Sequence, residues 1–241
     1  MSHRRPDGAC HAPEFHSHEG EAQWIAAAVS DIAAALQHDL DASGRARLLL
    51  SGGSTPAPVY EALAQQSLDW SRIEIALVDE RWLPAGSADS NATLVRNTLL
   101  KAGASGARFE AMLLPGRELS ETVLAANASS SPASVVVLGM GPDGHTASLF
   151  PQMRGLDAAL HSAADYVAVD ASGCPGAGPW PQRISITPAG LARSGTRVLL
   201  VRGEHKRAVL QQAGAGDDPH ELPIRIALRL PGAPLRIHWC P

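Results

Sequence analysis

The fold is decided by residues 134–151, which read Ser-Val-Val-Val-Leu-Gly-Met-Gly-Pro-Asp-Gly-His-Thr-Ala-Ser-Leu-Phe-Pro. The apolar run at 135–138 is typical of a buried strand, because both faces of such a strand pack against other elements. The glycines after it let the backbone turn sharply and approach a ligand closely. Asp143 and His145 follow at the carboxyl end of the strand, which is where open α/β sheets bind ligands.

Strands and helices alternate on both sides of this stretch. Apolar runs predict further strands at 47–50, 73–78, 112–114, 166–169, 183–187, 197–201 and, at an edge of the sheet, 235–238. The run at 183–187 alternates polar and apolar residues, as a half-exposed strand does. Amphipathic spacing predicts helices at 20–40, 59–63, 92–101, 119–126, 188–193 and 204–213. The alternation predicts an α/β fold with a mainly parallel sheet.

The chain of 241 residues is long enough for one large α/β domain. Its composition, 45% hydrophobic and 18% charged, is typical of a soluble globular protein. Residues 1–18 are polar and rich in histidine, and we expect a flexible extension there rather than a metal site. Residues 19–241 are then expected to form the single domain.

Charge and cysteine content exclude several classes of protein. The net charge of −4 argues against a partner that is a nucleic acid or an acidic membrane. Cys10, Cys174 and Cys240 are widely spaced, which predicts neither a disulfide framework nor a structural zinc site and indicates a reducing compartment.

No apolar run reaches the roughly 18 residues of a membrane span, and residues 1–20 lack the apolar core of a signal peptide. A cytoplasmic protein is therefore expected.

A first candidate binding segment lies between the strand at 47–50 and the following helix. It consists of Ser51, Gly52, Gly53, Ser54 and Thr55. Small residues before a helix leave backbone N–H groups free to face an anion, and the hydroxyls add donors. The segment lacks the nucleotide-binding P-loop pattern. A phosphate cradle and a ligand-free turn capped by Ser54 or Thr55 both remain open.

Three cations are further candidates. Arg81 follows the second strand, where a guanidinium suits bidentate contact with phosphate, although a solvated loop also fits. Arg183 lies on the strand predicted at 183–187. Lys206 lies in the first turn of a predicted helix, where a cation opposes the helix dipole. An anionic ligand would explain that placement, and a solvated surface lysine is the alternative.

Asp143 and His145 suit acid–base chemistry. An imidazole can accept a proton at neutral pH, and a nearby carboxylate can orient it and stabilise its charged form. The alternative is that Asp143 caps a short helix and His145 only packs. The same stretch formally matches the dinucleotide fingerprint G-x-G-x-x-G. We reject that match, because Asp143 would repel a pyrophosphate and Pro151 would stop the long helix that the fingerprint requires.

Five segments, taken in order, resemble the 6-phosphogluconolactonases. They are Leu50-Ser-Gly-Gly-Ser-Thr-Pro56, Asp79-Glu-Arg-Trp82 with Asp89-Ser-Asn91, residues 138–151, Arg183-Ile-Ser-Ile-Thr-Pro188, and Gly203-x-x-Lys206. The resemblance implies a three-layer α/β/α fold related to the sugar-phosphate isomerases, with neither metal nor organic cofactor. It also implies hydrolysis of 6-phospho-D-glucono-1,5-lactone, a small-molecule substrate of the oxidative pentose phosphate pathway.

The same resemblance implies roles for individual residues. It assigns the phosphate contacts to Ser51–Thr55, Arg81, Arg183 and Lys206, and the catalytic base to His145 with Asp143 beside it. Backbone N–H groups near 139–144, or a cationic side chain, would then stabilise the oxyanion.

Two other functions compete with the lactonase. One is glucosamine-6-phosphate deamination, whose enzymes resemble this stretch but carry a catalytic Glu after a Phe-Asn pair; here Phe150 is followed by Pro151. That branch also tends to carry an aromatic residue where this chain has Arg81. The other is a sugar-phosphate-binding regulator without catalysis, against which the intact acid, imidazole and cations argue.

Overall fold

A computed structural model describes residues 12–84 and 86–241 of the protein. Its strands are β1 (Glu14–Ser17), β2 (Ala46–Leu50), β3 (Ile73–Leu77), β4 (Asp79–Arg81), β5 (Arg108–Phe109), β6 (Ala133–Gly139), β7 (Tyr166–Asp170), β8 (Gln182–Ile186), β9 (Ser194–Arg202) and β10 (Leu235–Cys240). Its α-helices are α1 (Glu21–Ser43), α2 (Ala57–Leu63), α3 (Asn91–Thr98), α4 (Leu119–Ser129), α5 (Leu156–Leu160), α6 (Pro188–Leu191), α7 (Glu204–Ala215) and α8 (Arg225–Arg229).

The main sheet has seven strands in the order β1-β10-β9-β6-β2-β3-β5, and every neighbouring pair is parallel. In β2 every residue is buried, and in β6 every residue up to Leu138 is. Successive side chains of a strand point to opposite faces, so both faces of the central sheet are covered. The predicted α/β/α layering is therefore confirmed.

The apolar spacing of α1 explains how one layer forms. Trp24, Ile32 and Leu36 are fully buried, and they recur at intervals that place them on one helical face. The helix ends at Gly44, whose φ of 77° suits a residue without a side chain. The Trp24 indole N–H donates to the carbonyl of His238 in β10, which fixes the helix against the sheet.

A second, antiparallel sheet joins β4, β8 and β7 and was not predicted. Residues 79–81 were expected at the end of the second strand, but they form a separate strand that pairs with β8. The expectation that 183–187 is half-exposed was also wrong, since β8 is buried from Arg183 to Ile186. Gln182 is exposed, whereas Arg183 and Ser185 are buried although they are polar.

The N-terminal expectation needs correction. Residues 14–17 form β1, which pairs with β10, so they are not a flexible extension, and 235–238 is not an edge. The imidazoles of His16 and His18 stack on that of His238, at centroid distances of 5.2 and 5.4 Å. The expectation for residues 1–11 lies outside the described residues.

Three further features of the fold concern a short strand, a helix cap and the length of the helices. The strand predicted at 112–114 was wrong, and the strand of this region is the shorter β5 at 108–109. Ser90 caps α3 by accepting a hydrogen bond from the Thr93 N–H. Within residues 12–84 and 86–241, none of the helices combines the length and apolar character needed to cross a membrane.

Candidate active site

The predicted site residues converge on one cleft of about 230 Å³. The strands β2 and β6 end at it, which agrees with the rule that ligands bind beyond the carboxyl ends of parallel strands. Its lining contains every predicted binding residue and His145: Ser51, Gly52, Gly53, Ser54, Thr55, Arg81, His145, Arg183 and Lys206. Asp143 is not in the lining and lies behind the imidazole.

Asp143 holds the His145 ring in place. Its Oδ1 lies 2.6 Å from Nδ1 of His145 and also accepts a hydrogen bond from the His145 backbone N–H at 3.2 Å. The turn between them depends on Gly144, whose φ is 80°. A side chain at Gly141 would approach the imidazole to 2.2 Å, so only glycine allows this packing. No helix begins at this turn, so Asp143 does not cap one, and the geometry of the pair is compatible with acid–base chemistry.

Two opposing effects act on the Asp143 carboxyl group. Its partial burial favours the neutral form, while the hydrogen bonds and charge of His145 favour the carboxylate and outweigh burial, so the pKa of Asp143 lies below its usual range. Asp143 is therefore ionised at neutral pH and can stabilise a protonated His145.

Phe150 connects the imidazole to one of the cations. Its fully buried ring lies 4.3 Å from the His145 ring, centroid to centroid, and 5.1 Å from the Arg183 guanidinium carbon. The ring belongs to a small separate apolar cluster that also includes Met153 and Ala177. The imidazole and Arg183 are consequently held at a fixed separation by one rigid side chain.

The two arginines occupy directly opposite positions in the second sheet. Arg81 of β4 pairs with Arg183 of β8 in the antiparallel register. Like charges placed opposite each other destabilise a sheet, so the pair is unfavourable unless an anion or acid compensates it. Desolvation lowers the pKa of Arg183, and the nearby charge of Arg81 lowers it further, while Asp79 raises it. The arrangement suits a phosphate group.

Other groups fix the orientation of each guanidinium. Arg81 donates to the carbonyl of Asp89 at 2.9 Å and to the Asn91 side-chain oxygen. Arg183 donates to the carbonyls of Trp180 and Ala177 at 2.9 and 2.6 Å. Trp180 and Ala177 belong to the segment 171–181, which is thereby tied to the cleft through Arg183.

The Ser51–Thr55 loop follows β2 directly and lines the cleft. Gly53 has a φ of 97°, and a side chain at Gly52 would collide with Asn91. The buried Ser51 hydroxyl has no hydrogen-bond partner within the described part of the chain. The prediction that Ser54 or Thr55 caps α2 was wrong, because Pro56 is the cap residue and no side chain caps this helix. Neither hydroxyl is used to cap the helix, and both residues line the cleft.

Lys206 lies in the first turn of α7 and lines the cleft, as predicted. Desolvation lowers the pKa of its ammonium group, and the charge of Asp143 opposes that effect. A half-buried ammonium that loses solvation gains from an anionic ligand, so the placement favours binding over a solvated surface role.

Comparison with known proteins identifies the family of this site. The family model of glucosamine-6-phosphate isomerases/6-phosphogluconolactonase matches residues 19–237. The chain belongs to this family. A protein named 6-phosphogluconolactonase from Xylella fastidiosa (strain Temecula1) is 51% identical over 221 residues, covering 90% of this chain and 92% of that protein. The resemblance to 6-phosphogluconolactonases drawn from the five segments is thereby confirmed.

Solved structures of the family agree with the fold. The crystal structure of a 6-phosphogluconolactonase from Shewanella baltica superposes with a TM-score of 0.87 at 36% identity, covering 95% of this chain and 98% of that one. A monomeric glucosamine-6-phosphate deaminase superposes with a TM-score of 0.73 at 15% identity, covering 94% and 97% of the two chains. The likeness to the deaminase concerns the fold alone.

Sequence reasoning within this family missed three buried residues at the site: Asp79, Asn91 and Ser148. All three fall inside the quoted segments, and Asp79 and Asn91 line the cleft. A signal for Asp79 existed, because an acid at the end of a buried strand needs a partner. Ser148 gave no signal, since its contacts reach residues distant in the chain.

Proposed function

We propose that this protein hydrolyses 6-phospho-D-glucono-1,5-lactone to 6-phospho-D-gluconate, a step of the oxidative pentose phosphate pathway. Membership of the family and the names of its similar relatives support this activity. The observation that carries it is the presence, in one cleft, of an oriented His145 and an opposed pair of arginines. Lactone opening needs an activated water at one end and a hold on the phosphate at the other.

His145 is the general base in this proposal. Nδ1 of His145 is hydrogen-bonded to Asp143, so Nε2 is the nitrogen that accepts a proton from water. The resulting hydroxide attacks the lactone carbonyl carbon and forms a tetrahedral intermediate. The bond from that carbon to the ring oxygen then breaks, and the imidazolium returns its proton to the ring oxygen. Asp143 stabilises the imidazolium that exists between these two transfers.

The cations and the Ser51–Thr55 loop hold the phosphate group. Arg81 and Arg183 supply planar donors, Lys206 supplies a third positive charge, and the loop supplies hydroxyl and backbone donors. Binding energy from the phosphate, which does not react, orients the lactone ring against His145.

Two of the backbone N–H groups expected to stabilise the oxyanion are already used within the turn. The Gly141 and Gly144 N–H groups already donate to the carbonyls of His145 and Gly141, at 2.9 and 3.1 Å. These two groups serve the turn itself, so they are not the donors that stabilise the oxyanion.

The test is lactone hydrolysis by His145→Ala, with the spontaneous rate subtracted. We expect turnover to fall about 10²-fold or more. The matched control is His161→Ala, because His161 also lies near an aspartate, at 3.4 Å, but on the exposed surface. Near-normal turnover in folded His145→Ala protein would remove the role.

Glucosamine-6-phosphate deamination is assayed on the same samples. Deamination without lactone hydrolysis would favour the deaminase, and the absence of both activities would favour a binding protein.

A further inference from the structure

A chain of hydrogen bonds joins the two arginines of the cleft. Arg81 donates to the side-chain oxygen of Asn91, whose amide N–H donates to the Asp79 carbonyl at 2.8 Å. The Ser148 hydroxyl donates to the Asp79 carboxylate at 2.6 Å and accepts a hydrogen bond from Arg183 at 3.4 Å. We refer to Asn91, Asp79 and Ser148 as the arginine relay.

The relay is shielded from solvent. The exposed fractions of Asn91, Asp79 and Ser148 are 1%, 5% and 0%. Buried polar groups are costly unless they are hydrogen-bonded, so each member depends on the others for its partners. The positions of the two guanidiniums are therefore coupled through the interior of the protein.

The charge of Asp79 acts on the arginines without pairing with them directly. Within residues 12–84 and 86–241, the hydrogen-bond partners of both guanidiniums are neutral oxygens. The carboxylate reduces the repulsion between the two cations, while Asn91 and Ser148 stand between it and them. A direct ion pair would instead use the same donors that an anionic ligand needs.

An unusual backbone conformation at Ala147 sets the position of Ser148. Ala147 lines the cleft and has a φ of 50°, which is uncommon for any residue except glycine. Such a conformation persists where surrounding contacts determine it, and it is frequent at functional sites. The turn directs Ser148 inward, where its backbone N–H also donates to the Ser185 hydroxyl at 3.1 Å.

We infer that Ser148 is a positioning residue that holds the Asp79 carboxylate away from Arg183 and so keeps Arg183 available to the phosphate of the substrate. The inference rests on the proposed function, in which Arg81 and Arg183 bind that phosphate. Without the hydroxyl, the Asp79 carboxylate loses a donor and turns to Arg183, the cation that the same hydroxyl contacts. An anion must then displace an internal ion pair before it can bind.

The test measures binding of inorganic phosphate to the full chain by calorimetry. Ser148→Ala should bind phosphate about tenfold more weakly than the wild type, which corresponds to one charge-assisted hydrogen bond. The KM for the lactone should rise by a similar factor, with kcat within about threefold. A purely structural role would lower thermal stability without this selective change. The matched control is Ser194→Ala, since Ser194 is also buried and donates one hydrogen bond, to the Leu191 carbonyl.

A double variant tests the direction of the effect. Asp79→Asn in the Ser148→Ala background removes the charge that would capture Arg183, so phosphate affinity should return towards the wild-type value. Ser148→Cys keeps the branching of the side chain, with a larger atom and a weaker donor, and serves if Ser148→Ala does not fold. Unchanged phosphate affinity in a folded Ser148 variant, or no recovery in the double variant, overturns the inference.

The two proposals fail in different ways. A wild-type protein that binds phosphate as described but does not hydrolyse the lactone removes the proposed function and leaves the relay. If the wild type is active and the Ser148 variants bind phosphate as tightly as the wild type does, only the inference about the relay is overturned. A wild-type protein that binds no phosphate overturns the inference about Ser148, and the lactone assay alone then decides the proposed function.

Discussion

Replacing Asp143 by Asn tests the acid–imidazole pair most directly. The substitution preserves the shape of the side chain and removes its charge. In the wild type the carboxylate accepts hydrogen bonds from both the ring and the backbone N–H of His145. An amide can offer an N–H to Nδ1 instead, which favours the tautomer that carries its proton on Nε2. That tautomer cannot accept a proton from water at Nε2.

The size of the effect follows from the contact. A hydrogen bond to a charged group contributes about 1.5–3 kcal/mol, and about 1.4 kcal/mol is a factor of ten in rate. Solvent weakens the interaction somewhat, because 31% of the Asp143 side chain is exposed. We therefore expect kcat for Asp143→Asn to fall roughly 10- to 100-fold. The KM should change little, since Asp143 lies behind the imidazole and outside the cleft lining.

The assay is initial-rate lactone hydrolysis at neutral pH, corrected for the spontaneous reaction and compared with Asp157→Asn. Asp157 is the exposed partner of His161, so its substitution should leave kcat unchanged. A folded Asp143→Asn protein whose kcat is within twofold of the wild type would refute the role of the pair.

Stability should also respond to pH in a defined direction. The pKa of Asp143 lies lower in the folded protein than in the unfolded chain, because the contacts with His145 outweigh its burial. The carboxylate therefore adds stability above its unfolded pKa of about 3.9, and this stability is lost as the pH falls through the folded pKa. The wild type should exceed Asp143→Asn in stability at pH 7, and the difference should shrink in strong acid. Thermal unfolding across this range measures it, and a constant difference would contradict the assignment.

Three other substitutions have defined outcomes. Gly141→Ala should lower kcat by about 10²-fold in lactone assays, because its new side chain displaces the His145 ring; an unchanged kcat would show that the ring can move freely. Lys206→Gln should weaken phosphate binding about tenfold by calorimetry. It should also raise the melting temperature of the free protein at pH 7, because the charged ammonium is partly desolvated there, and this gain should shrink as the pH rises through the lowered pKa of Lys206. A fall in melting temperature would contradict the idea that burying this charge destabilises the free protein. Gly214→Ala should stabilise α7 by about 1 kcal/mol in denaturant unfolding with normal activity, because nothing lies within 4 Å of the added side chain, and a destabilised variant would contradict this.

The parallel core of the fold could be predicted because its signals are local. The strands β2, β3 and β6 each end in an apolar run, followed by the small or charged residues that form the cleft. Buried parallel strands require such runs, so sequence and structure agree there. The same reasoning placed His145 correctly, because the carboxyl end of β6 leads straight into its turn.

The second sheet could not be predicted, because its pairing is not local. β4 has three residues and pairs with β8 about a hundred residues later, and no turn signal connects them. The alternation of β8 was misread for a related reason. Its polar side chains, including Arg183 and Ser185, are buried by residues that the chain contributes from elsewhere. A polar residue in a strand indicates that its side chain faces a polar environment, but it does not show whether that environment is solvent or a buried polar cleft.

The pairing of β1 with β10 has a consequence for biosynthesis. The hydrogen bond between His18 and His238 joins residues 220 positions apart in sequence. During translation the strand at 14–17 leaves the ribosome long before its partner exists, so its edge contacts cannot form on the nascent chain. The central strands can assemble earlier, whereas this side of the sheet closes only after residue 239 has emerged. A chaperone that acts on the newly made protein would therefore meet β9 as a temporarily open edge.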